Sequence, residues 1–347
     1  SKVYNVVTNL EKAYNNKYTK YTNQIGDPDA RTKVARYINK LNNTDFTKNN
    51  IALTSGGKQA LYHVFQTIIN EGDEVIIVKP FWVSYEEQVK LAGGVPVFVS
   101  SQKDLDLNVA VIKNNITDKT KAIIINSPSN PTSKVISKEK MAELAQLLQE
   151  PQNQNIAIIS DDVYQTLSHN KTVPHIINED KKLIDRTIII QSFSKSLAMT
   201  GLRLGVIAAN KEVINGISLL QGHASGNPTS IIQIATANVL DQIENYQEDY
   251  LKLFKKRKQL ASKLLAQIPN ISFTEPEGAF YFFIDISKIS SSSMDFAQKL
   301  LEEKQVALVP GIAFGAEGFV RLSFAASEKS LVEGIKLFSE FCKDLQA

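Results

Sequence analysis

From about residue 50 the chain repeats one pattern. A short run rich in β-branched and aliphatic residues ends in small polar residues, and a helix-spaced stretch often follows. The runs are Glu74–Val78, Val95–Val99, Lys121–Asn126, Ile156–Ser160, Thr187–Gln191 and Leu204–Ala209. Helical patterns fall at Lys58–Asn70, Ser84–Ala92 and Ser137–Gln149. Most of the runs are nearly continuously apolar, as strands covered on both faces must be. Strand–helix alternation of this kind predicts an α/β fold, a mostly parallel sheet wrapped by helices. In such sheets ligands sit at the carboxyl ends of the strands, so chemistry is expected just after each run.

After Lys211 the character changes. A long helical stretch covers about Thr229–Gln267, with a break expected near Asn245. Strand signals follow at Ile271–Thr274, Ala279–Ile284 and Val320–Phe324, with helices at Met294–Lys304 and Leu331–Leu345, which reads as a smaller α+β domain. A length of 347 residues suits two domains. With 43% hydrophobic and 22% charged residues the chain is globular rather than disordered. No apolar run approaches the roughly 18 residues of a membrane-spanning helix. The polar start lacks the apolar core of a signal peptide, so a cytoplasmic location is expected. Cys342 is the only cysteine, which excludes intramolecular disulfides and multi-cysteine metal sites. The four histidines have no metal-ligand spacing, and no metal is expected. A net charge of +3 from scattered lysines gives no reason to expect a nucleic-acid partner.

Five segments carry candidate chemistry. Thr54-Ser55-Gly56-Gly57-Lys58 precedes a helix, where backbone N–H groups and glycines suit an anion; an ordinary glycine turn would look the same. Asn126-Ser127-Pro128-Ser129-Asn130-Pro131-Thr132 is a turn directly after a buried strand. Ser160-Asp161-Asp162-Val163-Tyr164 ends another; an acid there needs a cationic or donor partner, or caps the next turn. Lys195 lies in a small, hydroxyl-rich loop between two apolar strands, a setting that can depress a lysine pKa and suit an amine nucleophile or Schiff-base former; the alternative is a lysine that snorkels to the surface. Ser192, Ser194 and Arg203 in the same stretch could form an anion pocket. Only six of the 39 basic residues are arginine, so Arg203 and Arg321 stand out. Arg321, inside a strand signal, is either a fork for a carboxylate or an edge-strand charge. Trp82, near a strand end, is core or a cover for a flat ligand.

Taken in order, SGGKQAL, PFWVSY, AGGVPV, NSPSNPT, SDDVY, SFSKSLAMTGLRLG, PEGAFY and VRLSFA resemble the class I/II aminotransferases of fold-type I that depend on pyridoxal 5′-phosphate (PLP). The bacterial aspartate aminotransferase subgroup Ib is the most similar. The resemblance spans nearly the whole chain and implies a mostly parallel sheet flanked by helices with a smaller α+β C-terminal domain. It implies a large PLP-binding domain at 26–250 and a small domain from 1–25 with 251–347.

Carried over by position, the resemblance implies that Lys195 bonds PLP as a Schiff base and that Asp161 pairs with its ring nitrogen. Tyr164 and Asn130 would bond the phenolic oxygen, and Trp82 would cover the ring. Gly57, Lys58, Ser192, Ser194 and Arg203 would hold the phosphate. Arg321 with Asn130 would bind the substrate α-carboxylate, with Trp82 beside it, and Lys58 would meet a second carboxylate. Tyr21 would reach the neighbouring subunit's phosphate, and Ser225–Ser230 would cross the same interface, which implies a homodimer. The implied reaction is ping-pong transamination, L-aspartate with 2-oxoglutarate. Other readings are an aromatic, prephenate or alanine aminotransferase, a PLP-dependent C–S lyase, and a non-catalytic binding module. Against the family pattern, NPTG reads with Ser133 and MTGWR with Leu202, and the chain starts after a glycine loop that family members carry earlier.

Overall fold

The computed structural model describes residues 4–169 and 172–346. Its larger sheet contains β1 (Ile51–Thr54), β2 (Glu74–Lys79), β3 (Val95–Ser100), β4 (Thr120–Asn126), β5 (Ala157–Asp161), β6 (Thr187–Ser192) and β7 (Gly205–Ala208). The spatial order is β1-β7-β6-β5-β4-β2-β3. The strands from β3 to β6 pair in parallel, while β7 runs antiparallel to both β6 and β1. Alternate residues of each central strand feed two cores. Ile123, Ile125, Ile158 and Ile189 face one layer of helices, and Ala122, Ile124, Ile159, Ile188 and Ile190 face the other. That two-sided cover is why the runs are apolar without alternation.

Antiparallel β7 is the local departure from an all-parallel reading. The connection from β6 to β7 holds only the helical turn Phe193–Ser196 and the 3-10 turn Thr200–Leu202, and it brings the chain back antiparallel to β6 with Lys195 and Arg203 between the strands.

The second sheet has the order β10-β11-β9-β8, from β8 (Ser272–Phe273), β9 (Tyr281–Asp285), β10 (Val309–Pro310) and β11 (Phe319–Ser323), all antiparallel. Its core gathers Phe282, Phe296, Phe324, Phe338 and Phe341 with the helices Ser293–Lys304 and Glu328–Asp344. The long helical stretch breaks at residues 238–242, before Asn245 rather than at it. The resulting helix Ile243–Leu265 links the two cores, with Ile243 in the first and Phe254, Ala261 and Leu265 in the second. Near the start, Val6 packs into the first core. Among the described residues no helix is long and apolar enough to cross a membrane.

Candidate active site

The carboxyl ends of β4, β5 and β6 open into a cleft of ≈ 370 Å³ roofed by Tyr281 and Arg321 of the second sheet. On its floor, Asp161 ends β5. The Tyr85 hydroxyl donates to Asp161 Oδ2 at 2.5 Å. The other oxygen, Oδ1, is buried and has no partner in hydrogen-bond geometry. Burial pushes this carboxyl up to about 6, against the Tyr85 bond and the Val163 N–H, which favour ionisation. Both oxygens of the adjacent acid have partners. Asp162 Oδ2 pairs with His175 Nε2 at 2.9 Å, and Oδ1 accepts from Ser160 Oγ at 2.7 Å. The partners thus separate two acids that look alike in sequence: only Asp161 lines the cleft, and it retains a free acceptor.

Lys195 sits on the single helical turn Phe193–Ser196 after β6, capped by Ser192 Oγ, which accepts from Ser194 N at 3.2 Å. Burial lowers the lysine pKa, and the Arg321 and Arg203 charges lower it further. Its Nζ lies 5.5 Å from the Phe280 ring centroid.

Close to it is a corner suited to an anion. The helix Gly57–Ile68 starts without a side-chain cap, leaving its first N–H groups for an outside acceptor. Gly56 has φ +91, and a Cβ there would lie 2.4 Å from Arg203 Nη2; one on Gly205 would lie 2.4 Å from the Gly56 carbonyl carbon. Only glycine fits either place. The Arg203 guanidinium is aimed by Nη1 donating to the Thr200 carbonyl at 2.8 Å. Gly57, Lys58, Ser192, Ser194 and Arg203 all line this cleft.

A hydrogen-bonded chain joins floor and roof. Asn126 Nδ2 donates to the Asp161 carbonyl at 2.8 Å, and its Oδ1 accepts from Asn130 N at 2.8 Å. Arg321 Nη1 then donates to Asn130 Oδ1 at 2.6 Å. The Arg321 guanidinium lies 4.3 Å from the Tyr281 ring and 5.0 Å from that of Phe314, and its Nε is buried without a partner. β11 runs between β9 and β10, so Arg321 is not an edge-strand charge. The site therefore offers an amine made less basic by burial, an open buried carboxylate oxygen, a glycine-lined anion corner and an arginine with an unused donor. This donor set fits PLP, which carries a phosphate, a basic ring nitrogen and an aldehyde.

The sequence matches the model of "Aminotransferase class I and II" over residues 3–335. The chain belongs to this aminotransferase family. The family uses PLP. An aspartate aminotransferase of Bacillus sp. strain YM-2 is 40% identical over 334 residues, 94% of this chain and 84% of that one. A Rickettsia bellii protein named as a probable aspartate/prephenate aminotransferase is 36% identical, over 96% of this chain and 86% of its own. The Thermus thermophilus aspartate aminotransferase solved with maleate superposes with a TM-score of 0.92 at 32% identity, covering 97% of this chain and 87% of that one. The expected fold, two sheets of these kinds in a fold-type I transferase, is thereby shown.

In this aminotransferase the remaining candidates fall as follows. Tyr164 is buried, and its hydroxyl is 2.8 Å from that of Tyr281. Burial, then Tyr281, pushes its pKa well up, so it stays a neutral donor. Trp82 is half-buried on the cleft wall, edge-on to Tyr85 with centroids 5.5 Å apart. Lys58 Nζ lies 5.2 Å from the Trp82 ring centroid. Tyr21 is the one candidate outside the cleft. It is 95% exposed and lines an outer hollow with Lys20, Asn227, Thr229 and Ser230. Tyr85 and Tyr281 were given no role from the sequence, and Asn126 was singled out only as part of its turn, although each had a signal. Tyr85 follows Trp82 by three residues, Asn126 opens the NSPSNPT turn, and Tyr281 closes PEGAFY.

Proposed function

We propose that this aminotransferase exchanges the amino group of L-aspartate with 2-oxoglutarate, using PLP held in the cleft. The observation that carries the reading is the presence, in one cleft, of Lys195 with a lowered pKa, Asp161 with an unpaired buried Oδ1, and Arg321 with an unpaired buried Nε. When bound, PLP supplies an electron sink for the negative charge that develops at the amino acid Cα. Asp161 would hold the ring nitrogen, and Tyr164 with Asn130 the phenolic oxygen. Trp82 would cover the ring. The N–H groups of Gly57 and Lys58, with Ser192, Ser194 and Arg203, would hold the phosphate. Arg321 with Asn130 grips the α-carboxylate of the substrate, and the Lys195 amine takes the Cα proton from aspartate in one half-reaction and delivers a proton to the carbonyl carbon of 2-oxoglutarate in the other. Burial and the two neighbouring cations favour the neutral, proton-accepting form of that amine.

Aspartate and 2-oxoglutarate carry a second carboxylate. Lys58, exposed at the cleft mouth above Trp82, would meet it. The Bacillus and Thermus relatives support this choice, the latter solved with the dicarboxylate maleate. Prephenate as an alternative acceptor is supported by the Rickettsia relative. We also propose a cytoplasmic homodimer in which Tyr21 completes the partner's phosphate site, and a division into two domains near residue 250, supported by the two cores.

The test is the purified protein with PLP, aspartate and 2-oxoglutarate. Glutamate and oxaloacetate should appear in equal amounts. Pyruvate released from a β-substituted amino acid, without any glutamate, would make it a lyase.

A further inference from the structure

Tyr281 touches both halves of the site. Its hydroxyl is 2.8 Å from that of Tyr164, and its ring lies 4.3 Å from the Arg321 guanidinium. Its backbone is anchored across the two sheets: Tyr281 N donates to Ser133 Oγ at 3.1 Å. Ser133 is fully buried and holds φ +57, in the left-handed region that favours glycine. Its carbonyl also accepts from Glu277 N at 3.0 Å and Gly278 N at 3.1 Å. The Lys134–Glu277 ion pair, at 3.2 Å, closes the same junction. The turn after β4, which presents Asn130, is thus fastened to the start of β9, which presents Tyr281.

We propose that Tyr281 is a positioning residue with two separable tasks. Its ring holds the Arg321 guanidinium in the plane that meets a substrate carboxylate. Its hydroxyl orients the Tyr164 hydroxyl towards the cofactor. The inference rests on the proposed roles of Arg321 and Tyr164. The chemistry divides cleanly: a phenyl ring keeps the cation–π contact and loses the hydroxyl bond, and an aliphatic side chain loses both. Phe314 and Asn130 continue to hold Arg321 in either case, so the effects are partial.

The test uses the PLP-loaded protein and succinate, a dicarboxylate without an amino group to transfer, with binding measured by calorimetry and turnover measured separately. Tyr281→Leu should weaken succinate binding about three- to tenfold. Tyr281→Phe should leave that binding within about twofold of the parent and lower kcat about three- to tenfold. Succinate bound by Tyr281→Leu as well as by the parent would overturn the proposal, as would parent-like kcat in Tyr281→Phe. Equal loss of succinate affinity in both variants would overturn it too, since a merely structural role makes no such distinction. Tyr281→Met replaces the leucine variant if circular dichroism shows the latter unfolded. Arg321→Ala is the control for the underlying reading: it should weaken succinate at least about tenfold, and parent-like binding there would remove Arg321 as the carboxylate site, whatever Tyr281 does.

Discussion

The cleft floor and the outer hollow around Tyr21 are built on opposite lines. On the floor, nearly every polar group has a partner from the same chain: Tyr85 on Asp161, His175 and Ser160 on Asp162, Asn126 between Asp161 and Asn130. What stays open in the cleft, Asp161 Oδ1 on the floor and Arg321 Nε on the roof, is buried. In the hollow, by contrast, Ser230 Oγ donates to the Lys20 carbonyl at 2.7 Å and accepts from Asn227 Nδ2 at 3.2 Å, but the large Tyr21 ring stands in solvent. An unpaired buried atom is expensive, so the floor is prepared for a ligand that enters deep. An exposed aromatic carries no such penalty and contributes only when another surface reaches it.

The comparison breaks most sharply at Asp161. Asp161→Ala should lower kcat about a thousandfold or more, since a buried charge-assisted contact is worth several kcal/mol. Steady-state assay at saturating PLP measures this, and a loss under about tenfold would mean that the floor is not organised around this acid.

The same residue should make the cofactor-free protein less stable. Its carboxyl titrates at about 6 when folded, against an ordinary 3.8. The folded state therefore holds that proton more tightly, and the group's contribution to stability falls as pH rises from about 4 to about 6. Above that window the whole penalty applies, about 3 kcal/mol for a shift of this size. Asp161→Asn, without PLP, should unfold at higher urea than the parent at pH 7.5, with the difference shrinking towards pH 4. Equal midpoints at pH 7.5 would show that the fold already neutralises this charge.

At the cleft mouth the expected effect is more selective. Lys58→Ala should reduce kcat/KM for aspartate and 2-oxoglutarate about ten- to a hundredfold, and much less for alanine or phenylalanine. Equal losses for all four would leave Lys58 a phosphate-loop residue. The smallest effect belongs to the hollow. Tyr21→Phe should weaken PLP affinity about tenfold in the proposed dimer, the worth of one hydrogen bond to a charged group, and leave the melting temperature of the cofactor-free protein unchanged. Unaltered PLP affinity would detach the hollow from the site.

How much was legible depends on how local the signal is. The central strands fall within a residue or two of the apolar runs, because burial on both faces writes itself into consecutive residues. The short β1 and β10 were not assigned from the sequence because they are brief, and the helix Lys211–Ala224 was passed over although Asn210 caps its start by accepting from Val213 N. Lys195 and Arg203 stood out because charge is rare between apolar strands. Tyr85 and Tyr281 did not, since a tyrosine beside other aromatics reads as core. Both are indeed buried, and it is only their hydroxyl partners, 76 and 117 residues away in the chain, that give them a part in the site.

By itself, the sequence determined the alternating layers, the loops that end at strand termini and the residue types available for the chemistry, because periodicity and punctuation act over a few neighbouring residues. Tertiary structure alone decided which of two adjacent acids keeps an open oxygen. It also placed Arg321 on an interior strand, and it brought one tyrosine of the second sheet against both Tyr164 and Arg321. Those outcomes depend on desolvation and on donors contributed by distant segments, and neither exists until the two sheets close over the cleft.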